Sequence, residues 1–202
     1  MLDNETCAEA LYCALRDDPF YRTLESRYPA QDGARRAMLS YYDVSIREGK
    51  KWGRVCTPET GQYGASVWSV PLSETRIAQK ASEKHAALEQ AMGPECLRVF
   101  TDIEASMAES EAGLNLADHW YLSILGVDPT MQGCGLGSGL VTPVLCEADA
   151  LGVASYLTTF TPRNISFYQR LGYRVTGDFP EPVTNSRFWV LVRNPPEADR
   201  VN

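Results

Sequence analysis

Val127-Asp128-Pro129-Thr130-Met131-Gln132-Gly133-Cys134-Gly135-Leu136-Gly137-Ser138-Gly139 is the stretch whose reading decides the fold. It follows an almost continuously apolar run, residues 119–127, of the kind found in strands buried on both faces. Asp128-Pro129 ends that run, and the spacing beyond the glycines predicts a helix to about Leu151. Glycines between a strand and a helix leave backbone N–H groups unshielded and let an anion come close. The helix start adds its positive dipole end and its unpaired donors. Such a turn either cradles a pyrophosphate without any lysine or simply reverses the chain.

Two other phosphate binders are excluded. The pattern GxxxxGK[ST] of P-loop nucleotide hydrolases is absent. Gly133-x-Gly135-x-Gly137 has the wrong spacing for a dinucleotide fingerprint and lies far from a first βαβ unit.

Outward from this turn, helical periodicity predicts helices over 5–16 and 33–48, the first stopped by Asp18-Pro19 and the second capped by Gly49. Strands at 51–57 and 63–70 flank Pro58-Glu59-Thr60-Gly61 and read as a hairpin. A helix over 74–92 ends at Gly93-Pro94, and the next carries Cys96, Val99, Phe100, Ile103 and Met107 on one face. Beyond the glycine turn come a strand at 155–161, a short helix at 164–171, and strands at 173–176 and 187–193. The segment between these last two, with Pro180 and Pro182, reads as loop. Pro143 should kink the helix after the glycines, because it removes the bond to the Gly139 carbonyl.

The chain has 202 residues, 44% of them hydrophobic and 22% charged, which fits one ordinary globular domain over 1–202. A net charge of −7 argues against a nucleic-acid partner and mildly favours a cationic one. Six cysteines without a CxxC pair, and only His85 and His119, give no metal-binding spacing and suit a reducing compartment. No apolar run is long enough to span a membrane, and the acidic start Met1-Leu2-Asp3-Asn4-Glu5 is not a secretory signal, so a cytoplasmic protein is expected.

A strand ending in Val127-x-Pro129, then Gln132-x-x-Gly135-x-Gly137, then Asn164-x-x-x-Tyr168-x-x-x-Gly172-Tyr173, resembles motifs A and B of the GNAT superfamily of N-acetyltransferases. The resemblance spans residues 120–190 and is strongest to the puromycin N-acetyltransferase-like members. It is carried by Gly126-Val127-Asp128-Pro129, by 132–138, by Pro162-Arg163-Asn164 and by Phe167-Tyr168-Gln169-Arg170-Leu171-Gly172-Tyr173-Arg174-Val175-Thr176.

The resemblance implies an α/β (α+β) fold, with a mixed, mostly antiparallel central sheet and helices on both faces. It implies acetyl-CoA as co-substrate, no metal, and acetyl transfer to a primary amine, such as that of an antibiotic or an amine metabolite. CoA would be held by Leu125, Gly126 and Val127, by Gln132, Gly133, Cys134, Gly135, Leu136, Gly137 and Ser138, and by Asn164 and Tyr168. Amides at 125–127 would receive the thioester oxygen where the strand opens, and Gly126 suits a bulge there. Tyr168 would be the general acid that protonates the departing thiolate; periodicity alone reads it equally as a core aromatic beside Phe167.

Three departures from the family pattern stand out. The family usually opens with a strand before its first helix, so an absent edge strand or a late start is expected here. Cys134 stands where relatives often carry a basic residue, which removes one charge near the pyrophosphate. Thr158 stands where puromycin-type relatives carry a glutamate.

The base is less defined. Without a bulge, His119, Tyr121, Ser123 and Leu125 alternate onto one face of their strand, and His119 is then either the base or a locally bonded strand-start residue. Asp118 and Glu104 are lesser candidates, and the amine could also arrive neutral. Trp68, Tyr121 and Phe160 suit either an aromatic wall of the acceptor site or the core. Two other functions fit the same motifs: a CoA-binding module without catalysis, and acetylation of a protein or aminoacyl-tRNA amine, the tRNA version being disfavoured by the acidic charge. No membrane partner is expected, and either a monomer or a homodimer is compatible.

Overall fold

The computed structural model describes residues 4–196, so most of the acidic start lies outside the described residues. Cys7, Ala8 and Leu11 bury one stripe of α1 (Asn4–Leu15). Asp18-Pro19 not only stops α1 but starts a helix the sequence reading missed, α2 (Pro19–Glu25). Proline is pre-set for the first helical position, and Asp18 Oδ1 accepts from the Phe20 N–H at 3.0 Å.

α3 (Gln31–Trp52) runs past the expected stop: Gly49 is a buried residue inside the helix, and Gly53 is the cap. β1 (Gly53–Cys56) and β2 (Gly64–Ser69) form the expected antiparallel pair. α4 (Glu74–Glu111) bends at Gly93, whose φ of 76° and ψ of 165° break it into the two rods read from the sequence. The second rod buries Cys96, Val99, Phe100, Ile103 and Met107.

β3 (Trp120–Val127), α5 (Leu136–Ala150), β4 (Ser155–Thr159), α6 (Ile165–Arg170), β5 (Arg174–Glu181) and β6 (Ser186–Arg193) complete the chain. Two expectations need correction. β3 is not fully buried along its length: Trp120 and Leu122 are buried under one face and Ile124 under the other, whereas Tyr121, Ser123 and Leu125 are half-buried. α5 runs as one helix with Pro143 inside it. β5 extends through Pro180, because an edge strand has one side without a ladder where a missing N–H costs nothing.

The six strands lie in the order β1-β2-β3-β4-β6-β5, and only the β3–β4 pairing is parallel. The segment before α1, where the family's opening strand would stand, lies outside the described residues. Helices cover both faces. On one, α1 to α4 pack on Val67, Ile124, Phe188 and Val190; on the other, α5 and α6 pack on Trp68, Trp120, Leu122, Leu157 and Leu191. Among the described residues no helix is long and apolar enough to cross a membrane.

Candidate active site

β3 and β4 pair only at Trp120↔Ser155, Tyr121↔Tyr156 and Leu122↔Leu157; from Ser123 onward β3 has no β4 partner. On its other side β3 carries a bulge. Val67 pairs with Ile124 and Trp68 with Leu122, leaving Ser123 as the extra residue, its hydroxyl bonded to the Val67 carbonyl at 3.0 Å. The bulge reverses the alternation, so Leu122 joins the core under α5 while Ile124 joins the opposite one. The single face expected for 119, 121, 123 and 125 is therefore broken.

The bulge also lies three residues before Gly126, where it was expected. Gly126 pairs regularly with Ala65 and meets a different need. A Cβ there would stand 2.8 Å from Leu11 and 3.1 Å from Ala14, so its bare Cα is what lets α1 lie on β3.

After β3, Asp128 Oδ1 accepts from the Thr130 N–H at 2.9 Å and its hydroxyl at 2.6 Å, fixing a single 3-10 turn over Pro129–Met131. The Gln132 side-chain amide donates back to the Val127 carbonyl at 2.8 Å. Gly133 and Gly135 have φ of 85° and 77°, a region that residues with a side chain rarely adopt, and nothing stands within 4 Å of where their Cβ atoms would be. Residues 132–135, Cys134 among them, are exposed, and Leu136, Gly137 and Ser138 open α5 half-buried. Open left-handed glycines at the N-terminus of a 15-residue helix fit a pyrophosphate.

The splay of β3 from β4 opens onto a cavity of about 430 Å3. Tyr168 from α6, Asn164 and Leu125 line it together. Asn164 sits just before α6 rather than in it, and its side chain makes no cap bond. The Tyr168 ring is held edge-on by Phe167 and Tyr173, at 5.1 and 6.0 Å between centroids. Burial, and secondarily Tyr173, raises its phenol above the ordinary tyrosine value, so it stays protonated.

Tyr121 and Tyr156 stack at 4.6 Å on another wall, with the Tyr121 hydroxyl 3.0 Å from Thr158 Oγ1. Phe160 lines the cavity, but Trp68 does not: it is fully buried in the core under α5, bonded to Ser66. His119 is not a lining residue; its ring meets the edge of Tyr156 at 6.4 Å.

The structure adds residues the sequence reading passed over. Asp18 and Tyr21 come from the α2 region, Tyr41 and Glu48 from α3, and Lys84 and Glu111 from α4. Lys84 lies 3.9 Å from both Glu48 and Glu104; burial works against its charge, but these two carboxylates outweigh it and keep it protonated. Glu104, Met107, Ala108 and Glu111 all face the cavity, and their i, i+3, i+4, i+7 spacing was the signal available. Among the described residues no group of three His, Cys, Asp or Glu side chains is arranged to hold a metal ion.

Residues 96–175 match the family model described as the acetyltransferase (GNAT) domain. Among curated proteins, a probable serine/threonine-protein kinase of Dictyostelium discoideum is 32% identical over 80 residues, 39% of this chain. The chain spans 11% of the length of that relative. Solved structures resemble the whole fold. A histone acetyltransferase HPA2 and related acetyltransferase from Corynebacterium glutamicum superposes with a TM-score of 0.66 at 18% identity, covering 98% of this chain and 93% of that one. Arylalkylamine N-acetyltransferase 2 from Aedes aegypti gives 0.59 at 13% identity, covering 95% and 94%. An agmatine N-acetyltransferase gives 0.63 at 14%, covering 95% of each chain. At such identities a structural likeness speaks for fold, while the family model speaks for the very segment that holds the glycine turn and Tyr168. Residues 96–175, about two fifths of the chain, thus carry the likeness to the acetyltransferase (GNAT) domain, and the chain as a whole shares the fold of solved acetyltransferases.

Proposed function

We propose that the chain transfers an acetyl group from acetyl-CoA to the primary amine of a small molecule. The observation that carries this reading is the single cavity that joins the unpaired stretch of β3 to Tyr168 and to walls built by α2, α3 and α4. Its volume suits a small acceptor. The aromatic lining and the carboxylates suit a cationic amine, as does the resemblance to the puromycin-acetylating group. The agmatine and arylalkylamine enzymes that share the fold act on such compounds, which agrees with this choice.

Bound acetyl-CoA would supply an activated acyl group and a thiolate leaving group. Backbone amides at 132–138, together with the start of α5, would hold its diphosphate. The unpaired edge of β3 at Leu125, Gly126 and Val127 would carry the pantetheine arm and donate to the thioester oxygen as charge develops there. Asn164 would help fix that arm. Tyr168 would give its phenolic proton to the leaving sulfur, a role its raised pKa suits because the proton is present throughout the neutral range.

Release of CoA thiol, assayed over a panel of small primary amines, tests the reading. Acetyl-CoA should bind by calorimetry and at least one amine should drive release above the hydrolysis background. Binding without any turnover would make the chain a CoA-binding module instead. Absence of binding would remove the assignment altogether.

A further inference from the structure

We propose that Glu111, the last residue of α4, receives the acceptor as its ammonium ion and takes the proton that must leave before the nitrogen can attack; this rests on the acetyl-transfer reading above. Four observations point to it.

Glu111 lines the same cavity as Tyr168, one turn beyond Met107 and Ala108 on the α4 face turned to that space. Its Oε1 is buried and has no hydrogen-bond partner among the described residues. The nearby cation is already engaged, since Lys84 lies between Glu48 and Glu104. An uncompensated carboxylate of this kind offers a counter-ion site to a ligand that brings its own positive charge.

Its affinity for protons is matched to the task. Burial, then the neighbouring Glu104, raises its carboxyl to about 7. Its place at the C-terminal end of a helix acts in the same direction. The other titratable groups around this space are Tyr21 and Asp18 from the α2 region, Tyr41 from α3, Tyr121 from β3, Tyr156 from β4 and Tyr168 from α6, the phenols all raised and so neutral, and Lys84 from α4 with Glu48 and Glu104. A base poised near neutrality is half ready at pH 7. His119 is placed less well, since it does not line the cavity.

The protons balance. The ammonium gives one to the Glu111 carboxylate, leaving a neutral amine. The nitrogen lone pair forms the C–N bond to the acetyl carbon, and the C–S electron pair leaves with sulfur. Tyr168 protonates that sulfur and is restored by the remaining extra proton on the newly acylated nitrogen. Glu111 then yields its proton to water.

The test compares ethylamine with 2,2,2-trifluoroethylamine, which is already neutral at pH 7. Glu111→Gln keeps the shape and removes the charge. With ethylamine it should lower kcat/KM roughly 100-fold and abolish the rise of kcat/KM with a midpoint near pH 7, while trifluoroethylamine is acetylated at a rate within about twofold of wild type. Acetyl-CoA affinity and melting temperature are followed in parallel, so that loss of the family function or of the fold is distinguishable. Equal losses with both amines would mean a merely structural role and overturn the proposal. Should neither amine be a substrate, the Glu111 carboxyl carbon is titrated by NMR, assigned by its disappearance in the Gln variant. A midpoint near pH 7 that falls on adding ethylamine supports the proposal. A midpoint in the ordinary carboxylate range, or one that ethylamine does not move, overturns it.

Discussion

The side-chain amide of Gln132 donates to the carbonyl of Val127 at 2.8 Å and so ties the glycine loop to the end of β3. The first residue of the motif thus acts on the chain itself. Gln132→Ala should free the loop at a cost of about 1 kcal/mol. Calorimetry should show CoA affinity roughly fivefold weaker, with an almost unchanged melting temperature. Undiminished affinity would show that the clasp does not organise the loop.

Gly135 has a φ of 77° with open space beside it, so Gly135→Ala meets backbone strain and not a clash. The strain is about 1–2 kcal/mol. The variant should remain folded, lose CoA affinity by about tenfold, and show its deficit chiefly in binding rather than in turnover at saturating acetyl-CoA.

Tyr168→Phe removes a hydroxyl that no side-chain hydrogen bond holds among the described residues, and leaves the ring between Phe167 and Tyr173. Turnover with the best amine should fall roughly 100-fold while CoA affinity stays within about twofold. An unchanged rate would take Tyr168 out of the acid role.

Glu111 also links stability to pH. Its carboxyl is raised from 4.5 to about 7 in the folded protein, so the neutral form is the one the fold prefers. The stability tied to it is whole below pH 4.5 and is lost as pH rises to about 7. Glu111→Gln, neutral at every pH, should match wild type near pH 4.5 and exceed it at pH 8 by about 1–2 kcal/mol, a figure discounted for the partial exposure of the group. Melting curves of the ligand-free protein at the two pH values check the sign. A gap that narrows toward pH 8 would contradict it.

Arg193 Nη1 and Nη2 meet Asp149 Oδ1 and Oδ2 at 2.6 and 2.7 Å, and its Nε donates to the Leu171 carbonyl at 3.0 Å. One guanidinium thereby joins β6, α5 and the end of α6. Lysine cannot reproduce a two-pronged bond and a third donor together. Arg193→Lys should cost about 1–3 kcal/mol in urea unfolding, with acetyl-transfer kinetics at 25 °C little changed.

Legibility in the sequence followed the range of the forces involved. α1, the hairpin, the bend at Gly93-Pro94 and the strand–glycine–helix order were readable because periodicity and turn residues act within a few positions. α2 was missed because Asp18-Pro19 ends one helix and caps the next, and local rules state only that a break occurs there. Pro180 misled because edge position, which excuses a proline, belongs to the sheet and not to the strand. Ser123 could not be recognised as the bulge, since bulges arise from the partner strand's register.

By itself the chain determined the glycine turn, the strand before it, the short helix bearing Tyr168, and with them the resemblance to the GNAT acetyltransferase domain, because these are contiguous motifs whose chemistry needs fixed residue spacing. Only the tertiary structure decided the acceptor side. Glu111, Lys84, Glu48 and Tyr21 come from segments far apart in sequence and meet because α2, α3 and α4 pack over the opening between β3 and β4. A carboxyl becomes a base near neutrality through burial and neighbours, and neither is a property of the residue's place in the chain.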